Sequence, residues 1–342
     1  MNLTRNRFGL LALATALLVL PFVLAMAGTA WVRITNFAVL YVLLSLGLNI
    51  VVGFAGLLDL GYIAFFAVGA YTYGLLASPH LGLHLPFWII LPIGAFVAGV
   101  AGMLLGAPTL RLRGDYLAIV TLGFGEIVRI FMNNLSNPIN ITNGPKGINR
   151  IDPFHIGSVD FASSDIVGGL IVSGPIKYYY FLLVVLMLVI VVNRRLKDSR
   201  IGRAWVAIRE DEMAAKAAGI NTRNIKLLAF AMGATFGGIS GGIFAAIQGF
   251  VSPESFILNE SIMVLAMVVL GGMGNIWGVV AGAVVLSFVP ELLRYTVEPA
   301  QKAMFGRMLV FGIALVLTMR FRPAGLWPES RHRREFTEEA EK

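Results

Sequence analysis

Two ionisable residues sit where a charge is expensive. Glu126 and Arg129 lie three apart inside an otherwise apolar run over 116–135. Residues three apart share one face of a helix, so the two can pair. Each charge costs about 2.5–3.5 kcal/mol at the centre of a membrane helix on insertion scales, which asks for a compensating role. Either the pair lines a polar route as a gate contact, or it locks this chain to a neighbouring subunit; the spacing leaves both open. Asn49, inside the run 34–57, and Asp59, at its end, are milder signals of the same kind. An intramembrane asparagine more often bonds a neighbouring helix than a substrate, and Asp59 can simply sit at the membrane interface.

Other chemistries lack their residues. The chain has no cysteine, which excludes disulfides, thiol nucleophiles and cysteine-based metal sites. Its four histidines, His80, His84, His155 and His332, are scattered. His80 and His84 are four apart, but Pro79, Gly82 and Pro86 surround them and read as a loop, so no metal site is expected. There is no G-x-x-x-x-G-K-[ST] loop to cradle a phosphate. Gly271, Gly272 and Gly274 have no lysine near them and suit close helix packing or a bend. No serine–histidine arrangement lies at membrane depth, so neither catalysis nor a cofactor of its own is expected of this chain.

The elements that must position these groups follow from composition. Of the residues, 57% are hydrophobic and 13% charged, a balance for a bilayer and not for a soluble domain. Residues 8–32 and 34–58 carry no charge, and 60–110 hold only two histidines as ionisable groups. A helix needs about 20 apolar residues to cross the hydrocarbon core. The expected spans are 8–28, 34–57, 60–78, 86–107, 116–135, 178–193 and 227–249, then an interrupted region 258–291 and a last span at 303–320. Arg5, Arg7 and Ala25-Met26-Ala27 have the look of a signal peptide. The apolar run is longer than a signal core and further spans follow, so a retained first helix is expected. The fold class is therefore an all-α, polytopic membrane protein of about nine or ten transmembrane or re-entrant helices.

Orientation comes from the basic residues, whose +8 excess lies beside the spans and so reads as the positive-inside bias, not as a nucleic-acid surface. Arg5 and Arg7 put the N-terminus inside; Arg111 and Arg113, then Arg194, Arg195, Lys197, Arg200 and Arg203, return to that side after even numbers of spans. Arg320, Arg322, Arg331, Arg333 and Arg334 also belong inside, yet nine spans give the wrong parity. The region 258–291 must supply the correction, as two short helices or a re-entrant pair around Gly271–Asn275. The organisation is one membrane domain, 1–320, with an inner loop 194–226, an outer loop 136–177 of turns and irregular structure, and a cytoplasmic tail 321–342.

The loop 194–226 has helical chemistry of its own. Asp198 or Ser199 can cap a start and Gly219 with Asn221 a stop. Between them Ala204, Ile208, Asp211, Ala215 and Ala218 fall on one helical face beside Trp205, with Glu212 and Lys216 at the favourable i, i+4 spacing. A helix of about 16 residues would run roughly 24 Å along the membrane surface. It either joins two spans as an interfacial helix or receives force from a soluble partner.

A family resemblance bears on that choice. ABC importer permeases present a short cytoplasmic helix, E-A-A-x-x-x-G, to a groove on their ATPase. This chain has Glu212, Ala214, Ala215 and Gly219 in that pattern, with the glutamate one residue further upstream. The ordered set Gly47–Gly53, Leu60-Gly61-Tyr62, Gly69-Ala70-Tyr71, Leu110–Glu126, Arg209-Glu210-Asp211-Glu212, Gln248–Phe256 and Val269–Gly274 resembles the permeases of branched-chain amino acid importers, in particular the M-type member of the permease pair. The resemblance covers about residues 40–328. It implies the ABC importer permease fold and alternating access in a bacterial inner membrane. It further implies a homologous permease partner, two ATP-binding subunits that hold ATP-Mg, and a periplasmic substrate-binding protein. Arg209, Glu210, Asp211, Glu212, Ala214, Ala215 and Gly219 are the expected ATPase-coupling residues. Asn49, Gly53, Asp59, Glu126, Arg129, Gly271, Gly272 and Gly274 are expected in the translocation pathway or the subunit interface. The Gly-interrupted segments 47–61 and 264–278 point to that pathway by analogy with other transporters. The same machine carrying urea or a short amide is the nearest alternative. A stand-alone secondary transporter would need intramembrane acids beyond Glu126.

Overall fold

Charge-free runs leave the backbone no solvent partner at membrane depth, so its polar groups must bond within helices. The computed structural model is helical nearly throughout, and it describes residues 2–109, 112, 114–136, 140–157, 159–167, 170–296, 300–322 and 325–327. The helices are α1 (Asn2–Ala27), α2 (Thr29–Asn49), α3 (Ile63–Leu76), α4 (Phe87–Thr109), α5 (Asp115–Asn134), α6 (Gly174–Asp198), α7 (Arg200–Glu210), α8 (Glu212–Ala217), α9 (Thr222–Gln248), α10 (Leu258–Gly271), α11 (Ile276–Thr296) and α12 (Ala300–Phe321). α2 runs on into a π-helical turn, Ile50–Phe54. Among the described residues, five helical segments are long and apolar enough to cross a membrane: Thr29–Phe54, Phe87–Thr109, Gly174–Asp198, Thr222–Gln248 and Pro253–Gly271. The chain is a multi-pass membrane protein.

The region 258–291 becomes α10 and α11, joined by a tight turn at Gly272–Asn275. Gly272 (φ 115°) and Gly274 (φ 87°) take the left-handed backbone that this turn requires and that a Cβ disfavours. The interrupted region is thus two helices, one of the two arrangements expected of it. Leu326 N donates to Leu270 O (2.8 Å) and Trp327 N to Gly271 O (3.2 Å), so the start of the tail satisfies carbonyls left open at the end of α10. Leu110, Arg111, Arg113, Arg331, His332, Arg333 and Arg334 lie outside the described residues.

The packing centre is α3, α4 and α9, which approach closely because small residues face one another. A Cβ on Gly69 of α3 would overlap the carbonyl of Gly238 in α9, and one on Gly102 of α4 would lie 2.9 Å from Phe230 O. α1 is tied to α6 by a different device. Pro21 has no N–H for the carbonyl four residues earlier, and Tyr179 donates its hydroxyl to that Leu17 oxygen (3.0 Å).

The loop expected over 136–177 to be turns contains more order than that. β2 (His155–Ile156) pairs with β3 (Val159–Asp160), and β4 (Asp165–Val167) with β5 (Leu170–Val172). β1 (Ile148–Asn149) pairs with β6 (Phe250–Val251), just after α9. The all-α expectation holds, and these short strand pairs are local order within the loop. Phe154 is the loop's anchor, stacked on Phe87 at 4.3 Å and edge-on to Phe181 at 4.9 Å. Lys177, nearly buried, donates to Asp160 O (2.6 Å), Ser163 O (2.9 Å) and the Asp165 carboxylate (2.7 Å). Those bonds hold the loop down on α6.

Candidate functional site

The loop 194–226 is built as two helices, not the single 16-residue helix that its pattern suggests. Ser199 Oγ accepts from Gly202 N (3.1 Å) and caps α7. The break falls at Asp211, whose backbone is extended (φ −152°) and whose carboxylate accepts from Met213 N (2.7 Å) and Ala214 N (3.1 Å). An aspartate gains more by capping a new helix than by continuing an old one, and that preference makes the joint. Gly219 (φ 83°) ends the second helix and Asn221 caps α9 by accepting from Asn224 N (3.2 Å).

The break redistributes the expected face. Trp205 is fully buried, with Nε1 donating to Ile225 O (2.7 Å), and Ile208 and Ala215 are buried with it. Glu210, Asp211, Met213, Ala214, Lys216, Ala217, Ala218 and Gly219 remain exposed. Ala215, expected at the docking surface, therefore packs inward, and Ala214 with Ala217 and Ala218 forms the open small-residue surface.

Glu212 does pair with Lys216 (3.2 Å), as its spacing suggests, but its shorter contact is with Lys226 of α9 (2.7 Å), and Thr222 adds a bond at 3.2 Å. The hydrogen bond from Lys226, against some desolvation and with help from Lys216, lowers the carboxyl from 4.5 to about 2. A depressed carboxyl stabilises the fold above its unfolded pKa, and that stabilisation is lost as pH falls from about 4.5 toward about 2. Glu212→Gln should cost about 1–3 kcal/mol at neutral pH, because Lys226 would keep a nearly buried charge without its partner. Thermal unfolding of the two proteins should differ at pH 7 and converge toward pH 2–3. A constant difference across that range would remove the ion pair as the cause.

From this loop two cations reach into the helix bundle. Arg209 donates through Nη1 to Gly53 O (2.5 Å), and its stem lies where a Cβ on Gly56 would be, 2.7 Å from Cγ. Lys197 Nζ donates to Gly274 O (2.9 Å). Gly274 N in turn donates to the buried Asn49 Oδ1 (2.9 Å). A Cβ on Gly53 would overlap Asn49 Oδ1 and lie 2.6 Å from Gly274 N. The two Gly-interrupted segments thus meet at one point, backbone against backbone, and both are tied to the basic loop. Gly271 packs on Gly278 of α11, and Gly272 is covered by Gly325.

Asp59 lies in the stretch between α2 and α3 and is buried (1% exposed). Its Oδ1 accepts from Gly61 N (2.9 Å), while Leu60 N donates to Thr121 Oγ1 (3.0 Å) and Ser261 donates to Leu60 O (2.6 Å). These bonds fix the stretch against α5 and α10. Glu126 and Arg129 pair as their spacing predicts (Nε to Oε1, 3.0 Å), and Arg129 also reaches Glu254 at 3.2 Å. Glu254 has no local pattern that marks it; its one sequence signal is its place in the run Gln248–Phe256. The carboxylates of Glu126 and Glu254 are 40% and 65% exposed on a face otherwise made of apolar Ile127, Ile130 and Phe131. A cavity of about 500 Å³ is lined by Gly56–Leu58, Asp115 and Arg209–Met213. His84 is paired with Asp152 (2.5 Å) and His80 contacts Asn140 O (3.2 Å). Among the described residues no His, Cys, Asp and Glu side chains gather as a metal site.

Similarity to known proteins extends along almost the whole chain. The family described as "Branched-chain amino acid transport system / permease component" matches residues 30–318. The chain is 44% identical over 340 residues to the high-affinity branched-chain amino acid transport system permease protein LivM of Escherichia coli, covering 96% of this chain and 76% of that one. A probable LivM of Methanocaldococcus jannaschii is 26% identical over 85% of this chain and 91% of its own. LivH of Salmonella typhimurium, a permease protein of the same kind of system, is 21% identical over 81% of this chain and 89% of its own. No solved structure matches the chain.

Proposed function

The chain belongs to the family of branched-chain amino acid transport permease components, and from that membership we propose how its geometry moves a cargo. It is a membrane permease subunit of an ATP-driven importer for branched-chain amino acids. It works beside a second, LivH-like permease, two ATP-binding subunits and a periplasmic binding protein. It hydrolyses nothing itself and needs no cofactor; ATP-Mg sits on the partner ATPases. In a bacterial inner membrane the positive-inside bias puts the 194–226 loop and both termini in the cytoplasm and the 136–177 loop outside.

The observation that carries the mechanism is the joint at Gly53 and Gly274. Closure of the ATPases presses on α8 through Ala214, Ala217, Ala218 and Gly219, with Glu210 and Asp211 at the rim. α7 transmits the shift through Arg209 to Gly53, and the end of α6 transmits it through Lys197 to Gly274. Both interrupted segments then move together, which is what alternating access about a central route requires. Asn49, Gly271 and Gly272 hold the joint, and Asp59 braces the stretch between α2 and α3. Glu126, Arg129 and Glu254 sit on the face that the second permease covers, because exposed charges, even paired ones, are costly on a lipid-facing surface.

Uptake of labelled leucine into proteoliposomes that hold this chain with its permease, ATPase and binding-protein partners tests the proposal. Uptake should require both ATP and the binding protein, and a cysteine at 254 should cross-link to the second permease. ATP-dependent uptake of urea in place of leucine would change the cargo. Uptake by this chain alone without ATP would sink the reading.

A further inference from the structure

We infer that a cavity at the outer ends of α2, α6 and α9 binds the cargo directly, as a free α-amino acid with an apolar side chain, before translocation; this rests on the function proposed above. The cavity measures about 270 Å³, just under the range of about 300–1,000 Å³ usual for drug-sized ligands, which suits a smaller molecule. Its lining sorts into the three parts of such an amino acid.

Arg33 and Asn36 stand three apart on α2, so they share a face, and both line the cavity. Arg33 is the single charge between residues 8 and 58, and it lies on the side where the positive-inside bias disfavours a cation. It is exposed and makes no ion pair among the described residues. A guanidinium so placed is a two-pronged donor for a carboxylate.

Asn36 is 1% exposed. Its Nδ2 donates to Pro175 O (2.8 Å), which leaves Oδ1 as a buried acceptor with no donor. A buried acceptor left without a donor is costly, so a site that keeps one is waiting for a donor, and the α-ammonium supplies it. The remaining wall is mostly apolar, with Ile151, Phe161 and Tyr178, and Gln248 adds one neutral polar side chain. The Tyr178 hydroxyl is already committed to Ala246 O (3.1 Å), and its ring packs 5.2 Å from Phe161. Among the described residues no carboxylate lines the cavity, so the side chain of lysine or arginine finds no counter-charge from them.

The test is equilibrium binding of radiolabelled leucine to the assembled transporter in nanodiscs, without nucleotide and without the binding protein. Saturable binding is expected. Isocaproate, which lacks the ammonium, and isoamylamine, which lacks the carboxylate, should compete poorly. Arg33→Gln should weaken binding by about tenfold or more, with Arg33→Lys in between. Asn36→Leu should weaken it as well; because that change is buried and can disturb folding, the exposed Arg33 variants are the deciding ones. Unchanged affinity in Arg33→Gln, or ATP-driven uptake by a transporter that binds no leucine in this assay, would overturn the site while leaving the transport function standing. Leucine binding that depends on Arg33 in a complex that never takes up leucine would do the reverse.

Discussion

Gly53→Val should reduce ATP-driven leucine uptake at least tenfold per folded transporter. The reason is the distance between two backbones. A Cβ at residue 53 overlaps Asn49 Oδ1 and lies 2.6 Å from Gly274 N, so the side chain of Asn49 and the α10–α11 turn must both give way. Asn49 then loses its bond from Gly274 N, and overpacking adds to the loss. Each effect is worth about 1–3 kcal/mol, and about 1.4 kcal/mol is already tenfold in an equilibrium. The contact also carries Arg209 and Lys197, so the variant should separate ATP hydrolysis from transport and not merely slow both. Trimming the asparagine in a Gly53→Val, Asn49→Ala double variant relieves one clash and leaves the other, so it should restore little. Full recovery in the double variant would place the whole effect in Asn49 and remove the backbone joint from the mechanism.

The second large effect is expected at Ala214. This residue is exposed on the short helix Glu212–Ala217, with Ala217 and Ala218 beside it. A tryptophan there fills the space that a docked ATPase needs but meets little of its own chain. Thermal stability of Ala214→Trp should stay within about 0.5 kcal/mol of wild type, as for most surface changes. Uptake should fall about tenfold or more, and the ATPase should co-purify poorly with the permease. Ala215→Trp is a poor substitute because Ala215 is 4% exposed, and a large side chain there would disrupt the loop itself. Normal co-purification and uptake with Ala214→Trp would move the docking surface elsewhere.

Much of this arrangement is local, and local features are legible in a sequence. Charge-free runs set the helices, because an unpaired backbone group at membrane depth has no cheap alternative. Ser199, Gly219 and Asn221 punctuate the loop as capping chemistry demands, and Glu126 meets Arg129 because a spacing of three is nearly one helical turn. The parity of basic residues marked 258–291 as the region in need of correction, and the glycines at 271–274 marked where the run breaks into two helices. The family likeness came from ordered motifs of this same local kind.

Distant partners were not legible. Asp211 is compatible with a continuous helix face, and only the fold decides that it caps a new helix while Ala215 turns inward. Glu212 finds Lys226 and Arg129 finds Glu254 across gaps that no periodicity spans. A glycine states that a side chain is absent, but not which backbone fills the space, so the meeting of Gly53 with Gly274 belongs to tertiary packing alone. The same holds for Arg33 and Asn36: their spacing puts them on one face, but the cavity and the unmet oxygen arise from Pro175, Phe161 and Tyr178, all far along the chain. Membrane class, helices and caps are written in the order of residues, because each is settled within a few turns of chain. Which breaks meet, which charges pair and which surfaces stay open is left to the folded molecule, because those depend on segments that only folding brings together.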